Sequence, residues 1–151
     1  MADETPDARP GEDDRETAYE LLRRGQDLLR RRHHAQAAVV LARADRLEPG
    51  RGSILEALGR ARFNAGQHAL AGEAFEALLA VDPSSHYGHF GLGQSLRKLG
   101  RDAEALTHLR LAAALDPRST LYRGALARAT LSAPPSVPPS VPPRTPPTGE
   151  A

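Results

Sequence analysis

Apolar side chains along this chain follow two nested rhythms. Ala37, Leu41 and Ala44 return 34 residues later as Ala71, Phe75 and Leu78, and after another 34 as Ala105, Leu109 and Ala112. Within each set the spacing is i, i+4, i+7, which places the three side chains on one face of an α-helix and predicts three amphipathic helices in a single register. Gly25, Gly59 and Gly93 keep the same step, as do Pro49, Pro83 and Pro117 in Leu-Glu-Pro, Val-Asp-Pro and Leu-Asp-Pro. Proline lacks an amide proton and clashes with the preceding turn, so each amphipathic helix is predicted to stop there. A glycine inside a helix costs about 1 kcal/mol relative to alanine. Close approach of a second helix is the compensation expected at Gly59 and Gly93, with Ala37, Ala71 and Ala105 as the small residues facing this column. Beyond the third unit, Thr120 to Leu131 is predicted as one more helix, with Leu121, Ala125, Leu126 and Ala129 on its covering face.

These columns resemble the tetratricopeptide repeat, a 34-residue helix pair with a small residue where the helices cross and a proline closing the second helix. Leu58-Gly59 and Leu92-Gly93 match its first-helix pair, and Gly66 and Gly100 its helix-to-helix glycine; repeat one departs, with Arg24 before Gly25 and Arg32 at the turn. The resemblance implies an all-α fold: a short right-handed α-solenoid of three helix hairpins at 18–51, 52–85 and 86–119, closed by a capping helix at 120–131. Such a cap hides the apolar face that the last repeat of a solenoid otherwise exposes.

Composition bounds the remainder. Aromatics are 4% of the residues and tryptophan is absent, so alanine and leucine must build the core. Residues 1–15 are acidic and carry no apolar period, and 132–151 include the tract APPSVPPSVPPRTPP; both are expected to be disordered tails flanking a folded region at 16–131. The acidic segment is expected to act as a solubilising tail, with a fold-back onto Arg23, Arg24, Arg30, Arg31 and Arg32 as the alternative. The proline tract is expected to be a stiff spacer, although Pro139, Pro142 and Arg144 match a PxxP-plus-arginine ligand pattern. No apolar run reaches the roughly 18 residues of a membrane span. Without cysteine there is no disulfide, thiolate site or cysteine nucleophile, which fits a cytoplasmic protein.

No phosphate loop, nucleophile elbow or cofactor motif is readable, so the sequence predicts a non-enzymatic protein without cofactors. His86 and His89 stand one turn apart, but no third ligand converges on them. His89 is expected in a core column and His108 on a solvent-facing position. A net charge of +1, with aromatics and basic residues in no RNA-motif order, argues against nucleic acid as the partner.

What the resemblance implies for function is a groove lined by the first helix of each pair that takes up a segment of another protein. Repeat one would contribute Tyr19, Leu22, Gln26, Leu29 and Arg30; repeat two Glu56, Ala57, Arg60, Phe63 and Asn64; repeat three Tyr87, Phe90, Gln94, Arg97 and Lys98. Leu21, Leu28, Leu55 and Leu96 occupy the core columns, which leaves aromatics for the groove, unless Phe63 turns inward to replace Arg62. The family's lysine and asparagine clamp for a terminal carboxylate is missing, since Leu22, Gln26, Ala57, Tyr87 and Gly91 stand at the matching places. Arg30, Arg60, Arg97 and Lys98 against Glu56 imply an acidic partner segment with apolar anchors. The expected role is that of an adaptor, with a dedicated chaperone for a secreted or aggregation-prone client as the alternative and polyanion or nucleic-acid binding through the groove arginines as a third, less favoured one. Replacing Phe90 by Ala is expected to weaken binding and leave folding untouched.

Deleting 133–151 should leave helicity and melting temperature nearly unchanged, whereas deleting from Thr120 onward should expose apolar surface and cause aggregation. Circular dichroism and light scattering on the two truncations distinguish the capping assignment from a dispensable end.

Overall fold

The computed structural model describes residues 15–134, and within them every regular element is helical. The helices are α1 (Ala18–Arg30), α2 (His34–Leu47), α3 (Gly52–Asn64), α4 (His68–Val81), α5 (His86–Lys98), α6 (Asp102–Leu115) and α7 (Thr120–Ser132). The expectations for 1–14 and 135–151, including the fold-back and the PxxP ligand, fall outside the described residues.

Local chemistry repeats with the step of 34. Thr17 caps α1 through a reciprocal capping box with Glu20, and Ser85 and Ser119 accept the amides of Gly88 and Tyr122 at the starts of α5 and α7. Arg51 stands in this column before α3 and makes no side-chain cap. Each first helix ends in the same turn, in which the amides of His33, Gln67 and Arg101 reach back to the carbonyls of Leu28, Arg62 and Leu96. This six-to-one closure requires a left-handed residue one position earlier. Gly66 (φ 81°) and Gly100 (φ 76°) supply it without strain, while repeat one forces Arg32 to φ 63°, at a cost of about 1 kcal/mol. Glu48, Asp82 and Asp116, each held extended by the proline that follows, end the second helices.

Helices pair as α1–α2, α3–α4 and α5–α6, and each pair packs on the next through α2–α3, α4–α5 and α6–α7. The first helices also touch in succession, α1 to α3 to α5, with no comparable contact between α2 and α4 or between α4 and α6 among the described residues. The stack therefore curves with its first helices on the inner side.

The glycine column does what its cost demanded, against a different residue from the one expected. A Cβ on Gly59 would stand 2.7 to 2.9 Å from ring carbons of Phe75, and one on Gly93 would stand 2.8 Å from Leu109 Cγ. Gly25 faces Leu41 in the same way. The large residue of each second helix thus fills the space over the glycine. Ala37, Ala71 and Ala105, all fully buried, lie one turn away, and Gly93 is also close to the carbonyl of Ala105. Phe75 is held by two hairpins, because Gly91 of the next one closes on the same outer end of its ring.

The cap buries Tyr122, Ala125 and Ala129. Leu121, expected on the covering face, is instead 53% exposed, because the buried face is set by Tyr122 at i, i+3 and i+7 with the two alanines. Where a helix partner would lie in another repeat, α7 carries Arg123, Ala127 and Thr130, one step of 34 beyond His89, Gly93 and Leu96. Arg123 and Thr130 are exposed and polar, which suits the end of a stack.

Replacing Gly59 by Ala should destabilise the domain by about 1 to 3 kcal/mol, despite the gain in helix propensity, because the clamped ring of Phe75 cannot yield. Chemical denaturation of this variant checks it; a rise in stability would contradict the close approach.

Candidate protein-binding groove

Along the inner side, Arg60, Phe63, Asn64, Phe75, Tyr87, Phe90, Gly91, Gln94 and Leu121 enclose an open cavity of about 330 Å³. A second cavity of about 370 Å³ shares Phe63 and Gln94 with it and adds Arg97, Lys98, Asp102 and Ser132. The two form one continuous groove over α3, α5 and α7. Its floor is the ring of Phe75, itself 1% exposed and reachable only because Gly91 has no side chain to cover it.

An aromatic series lines this floor. Ring centroids are 6.0 Å apart for Phe75 and Tyr87, 5.9 Å for Tyr87 and Phe90, and 5.1 Å for Phe90 and Tyr122, all at tilted or edge-on angles that favour aromatic pairs. The series ends where Tyr122, buried in α7, brings its hydroxyl 2.8 Å from His86 Nδ1. Burial pushes the Tyr87 phenol above its ordinary value, against the opposing pull of the Arg60 charge and hydrogen bond. Arg60 therefore sits beside the phenol at the rim and keeps an exposed cationic end.

The structure brings together Arg60, Phe63, Asn64, Tyr87, Phe90, Gln94, Arg97 and Lys98 from the candidate residues. Repeat one takes no part in either cavity. Leu22 (8% exposed) and Leu29 are core residues, so the expectation that they line the groove is corrected: the α1 face they occupy packs into the first core cluster. Ala57 is buried in that cluster too. Gln26 is half-buried, Arg30 is exposed and paired with Asp27, and Tyr19 is 56% exposed with Arg23 stacked over its ring at 5.9 Å. Glu56 is half-buried outside both cavities but near enough to act on the Tyr87 phenol. Phe63 is half-buried against the second core cluster, and Arg62 turns outward to the carbonyl of Leu70 at 3.2 Å, so Phe63 serves core and groove together.

Phe75 and Leu121 are groove residues not among those expected, and Gly91, expected at a groove position, lines the cavity. Phe75 sits in a core column, so its second role as a floor shows only once Gly91 is placed above it. Leu121 could have been found, since it stands 34 residues after Tyr87 in the groove column. Phe90 is the reverse case: half-buried on the third core cluster and stacked on Tyr122, it ties α5 to the cap, so replacing it must disturb folding. His108, expected to face solvent, is half-buried with its Nδ1 3.1 Å from that of His89, because α6 lays this face against α5. Leu28 is half-buried rather than fully in the core.

Residues 56–120 match the family model of the tetratricopeptide repeat. That stretch carries the tetratricopeptide repeat, and the helical stack as a whole has the fold of tetratricopeptide domains. Solved tetratricopeptide domains superpose over most of its length. The second domain of human RPAP3, in complex with the HSP70 peptide SGPTIEEVD, is 15% identical over 75% of this chain and 94% of that one, with a TM-score of 0.71. The Arabidopsis OM64 domain is 16% identical over 77% and 96%, at 0.73. The Yersinia enterocolitica secretion chaperone SycD, in complex with a peptide of the translocator YopD, is 21% identical over 75% and 92%, at 0.68. None of the curated proteins matches the chain in sequence. Among the described residues, no group of three or more His, Asp or Glu side chains could hold a metal ion, and no helix is long and apolar enough to cross a membrane.

Phe90→Ala should lower stability by about 2 to 4 kcal/mol, the range for removing a packed aromatic. Leu121→Ala should change it by less than about 0.5 kcal/mol, because that side chain leaves no core contact behind. Thermal melts of the two variants test this division.

Proposed function

We propose that this protein is a non-enzymatic adaptor whose groove over α3, α5 and α7 takes up an acidic, amphipathic segment of a partner protein. The observation that carries the reading is the juxtaposition, in one groove, of an aromatic floor with the cations of Arg60, Arg97 and Lys98. Asp102 is the one carboxylate among the lining residues, so the rim favours a negatively charged ligand. The cavity between Phe90, Tyr87 and Leu121 has room for one or two large apolar side chains. Such anchors supply most of the affinity, while charged rims mainly set rate and selection.

The tetratricopeptide fold is a protein-interaction scaffold, and the RPAP3 domain holds a peptide, SGPTIEEVD, that combines acidic residues with apolar ones. Capture of a chain terminus is not part of the proposal, because the matching clamp positions here are Leu22, Gln26, Ala57, Tyr87 and Gly91. The likeness to SycD with its YopD peptide supports a second reading, a dedicated chaperone for a secreted client, that uses the same groove. A cytoplasmic location suits both.

Peptide display on the intact chain should enrich segments with Asp or Glu flanking one or two large apolar residues. Leu121→Ala should then cost about 1 to 2 kcal/mol in binding with folding intact, and replacing Arg60 and Arg97 together by Ala should remove most of the salt dependence. Enrichment of basic segments, or binding indifferent to Leu121, would defeat the reading; calorimetry at two salt concentrations supplies the measurement.

A further inference from the structure

Repeats one and two place Leu21 with Val40 and Leu55 with Ala74 at two register positions; repeat three places His89 and His108 there. Packing at these positions thus asks only for apolar side chains, and the pair of imidazoles must be accounted for otherwise. His89 is 9% exposed and His108 half-buried. Their rings are inclined by 22°, with centroids 5.4 Å and Nδ1 atoms 3.1 Å apart. The centroids are farther apart than the nitrogens by the radii of both rings, so the nitrogens lie close to the line of centres and their in-plane orbitals face each other. A metal ion needs two such lone pairs to converge on a third point about 2.0 Å from each. Facing nitrogens at this separation leave room for a proton and nothing larger.

Hydrogen bonding fixes where the protons are. His89 Nε2 lies 2.9 Å from the carbonyl of Pro83, which can only accept, so Nε2 carries hydrogen. Neutral His89 then presents a bare Nδ1, which accepts from Nδ1–H of His108, and His108 is left with a bare Nε2. We propose that the His89–His108 pair is a proton-binding lock on the α5–α6 hairpin, closed by one shared proton and loosened when the pair is driven to take up more.

One added proton on His108 Nε2 keeps both hydrogen bonds. A second, on His89 Nδ1, sets two N–H groups against each other. The charges bearing on His108 are Glu104 on its own helix and Glu76 from α4, which favour protonation, against burial, the largest influence, and the charge of His89; the outcome is a value below the ordinary 6.5. Asp82, in the turn beneath His89, is already bonded by the amide and hydroxyl of Ser84. In the opened hairpin His108 protonates free of burial and of the facing ring. The closed form consequently binds fewer protons than the open one, and its stability falls as pH drops below about 6.5 until the folded value is reached. Because α5 carries Tyr87, Phe90 and Gln94, opening the hairpin dismantles one wall of the groove whatever occupies it.

The test compares the full-length protein with a double variant, His89→Leu with His108→Ala, which installs the residues that repeat two carries at these positions. Amide exchange of α5 and α6, corrected for intrinsic rates and referenced to α1–α2 in the same molecule, is followed from pH 8 to 5. The native chain should open more often below about pH 6.5, up to tenfold per pH unit for each proton of difference. The double variant should stay flat relative to its α1–α2 reference, the other histidines being common to both proteins. Nitrogen spectra of the native imidazoles at pH 7.5 should show His89 protonated at Nε2, His108 at Nδ1, and a scalar coupling across the bond. Parallel exchange profiles, or His108 protonated at Nε2 at that pH, would overturn the proposal. Should the double variant fail to fold, His108→Asn, which keeps a donor toward His89 but cannot take up a proton, carries the same comparison.

Discussion

The ring of Phe75 is the contact on which the two halves of this solenoid depend. Leu41 and Leu109, at the same place in the other repeats, each press on one glycine within their own hairpin, Gly25 and Gly93. Phe75 presses on two: Gly59 within its hairpin and Gly91 in the next. One side chain therefore sets both how closely α3 approaches α4 and how closely α5 approaches the pair. Interiors packed at crystal density transmit such a constraint rather than absorb it. The glycines cost helix stability, and the near-complete burial of an aromatic ring offsets that cost.

The functional groove is a by-product of the same wedge. Since Gly91 must lack a side chain to admit Phe75, α5 presents a notch on its inner face, and the ring beneath becomes a floor. Tyr87 and Gln94 stand on either side of that notch along α5, with Phe90 beside it, and Leu121 closes it from the cap. The cap thus has two faces with separate tasks: Tyr122, Ala125 and Ala129 seal the core, while Leu121 belongs to the ligand side. A repeat protein needs its terminal helix for solubility. Here the same helix also shapes the surface that a partner meets.

Most of the fold was legible because it is written three times. A column such as Gly25, Gly59, Gly93 or Pro49, Pro83, Pro117 identifies itself by recurrence, and periodicity converts each column into a face. The site was less legible because it depends on where columns from different helices meet. Leu22, Glu56 and Phe90 share one column, yet Leu22 ends in the core, Glu56 outside the groove and Phe90 in its wall, because α1 lacks the preceding hairpin that sets the inner surface around α3 and α5. Leu121 was hidden by the ambiguity of helical spacing, in which Leu121 and Tyr122 both lie one turn from Ala125. The pairing of His89 with His108 could not be read from a period at all, since it is a departure from one.

Departures from the repeat are where this chain differs from a generic stack, and they sort by what compensates them. Arg32 replaces a turn glycine, and nothing in its surroundings offsets the left-handed backbone; it is strain carried by the end repeat. Arg62, in a column otherwise held by Leu28 and Leu96, finds the carbonyl of Leu70 and lets Phe63 turn toward the groove. His89 replaces leucine, and the substitution is answered twice, by the carbonyl of Pro83 and by a matching change from Val40 and Ala74 to His108. A buried polar group without partners costs several kcal/mol, so an isolated histidine would not be tolerated at a position where leucine suffices. That both members of the pair changed, in the one repeat that supplies the groove with Tyr87, Phe90 and Gly91, ties the chemistry of the core to the surface it supports.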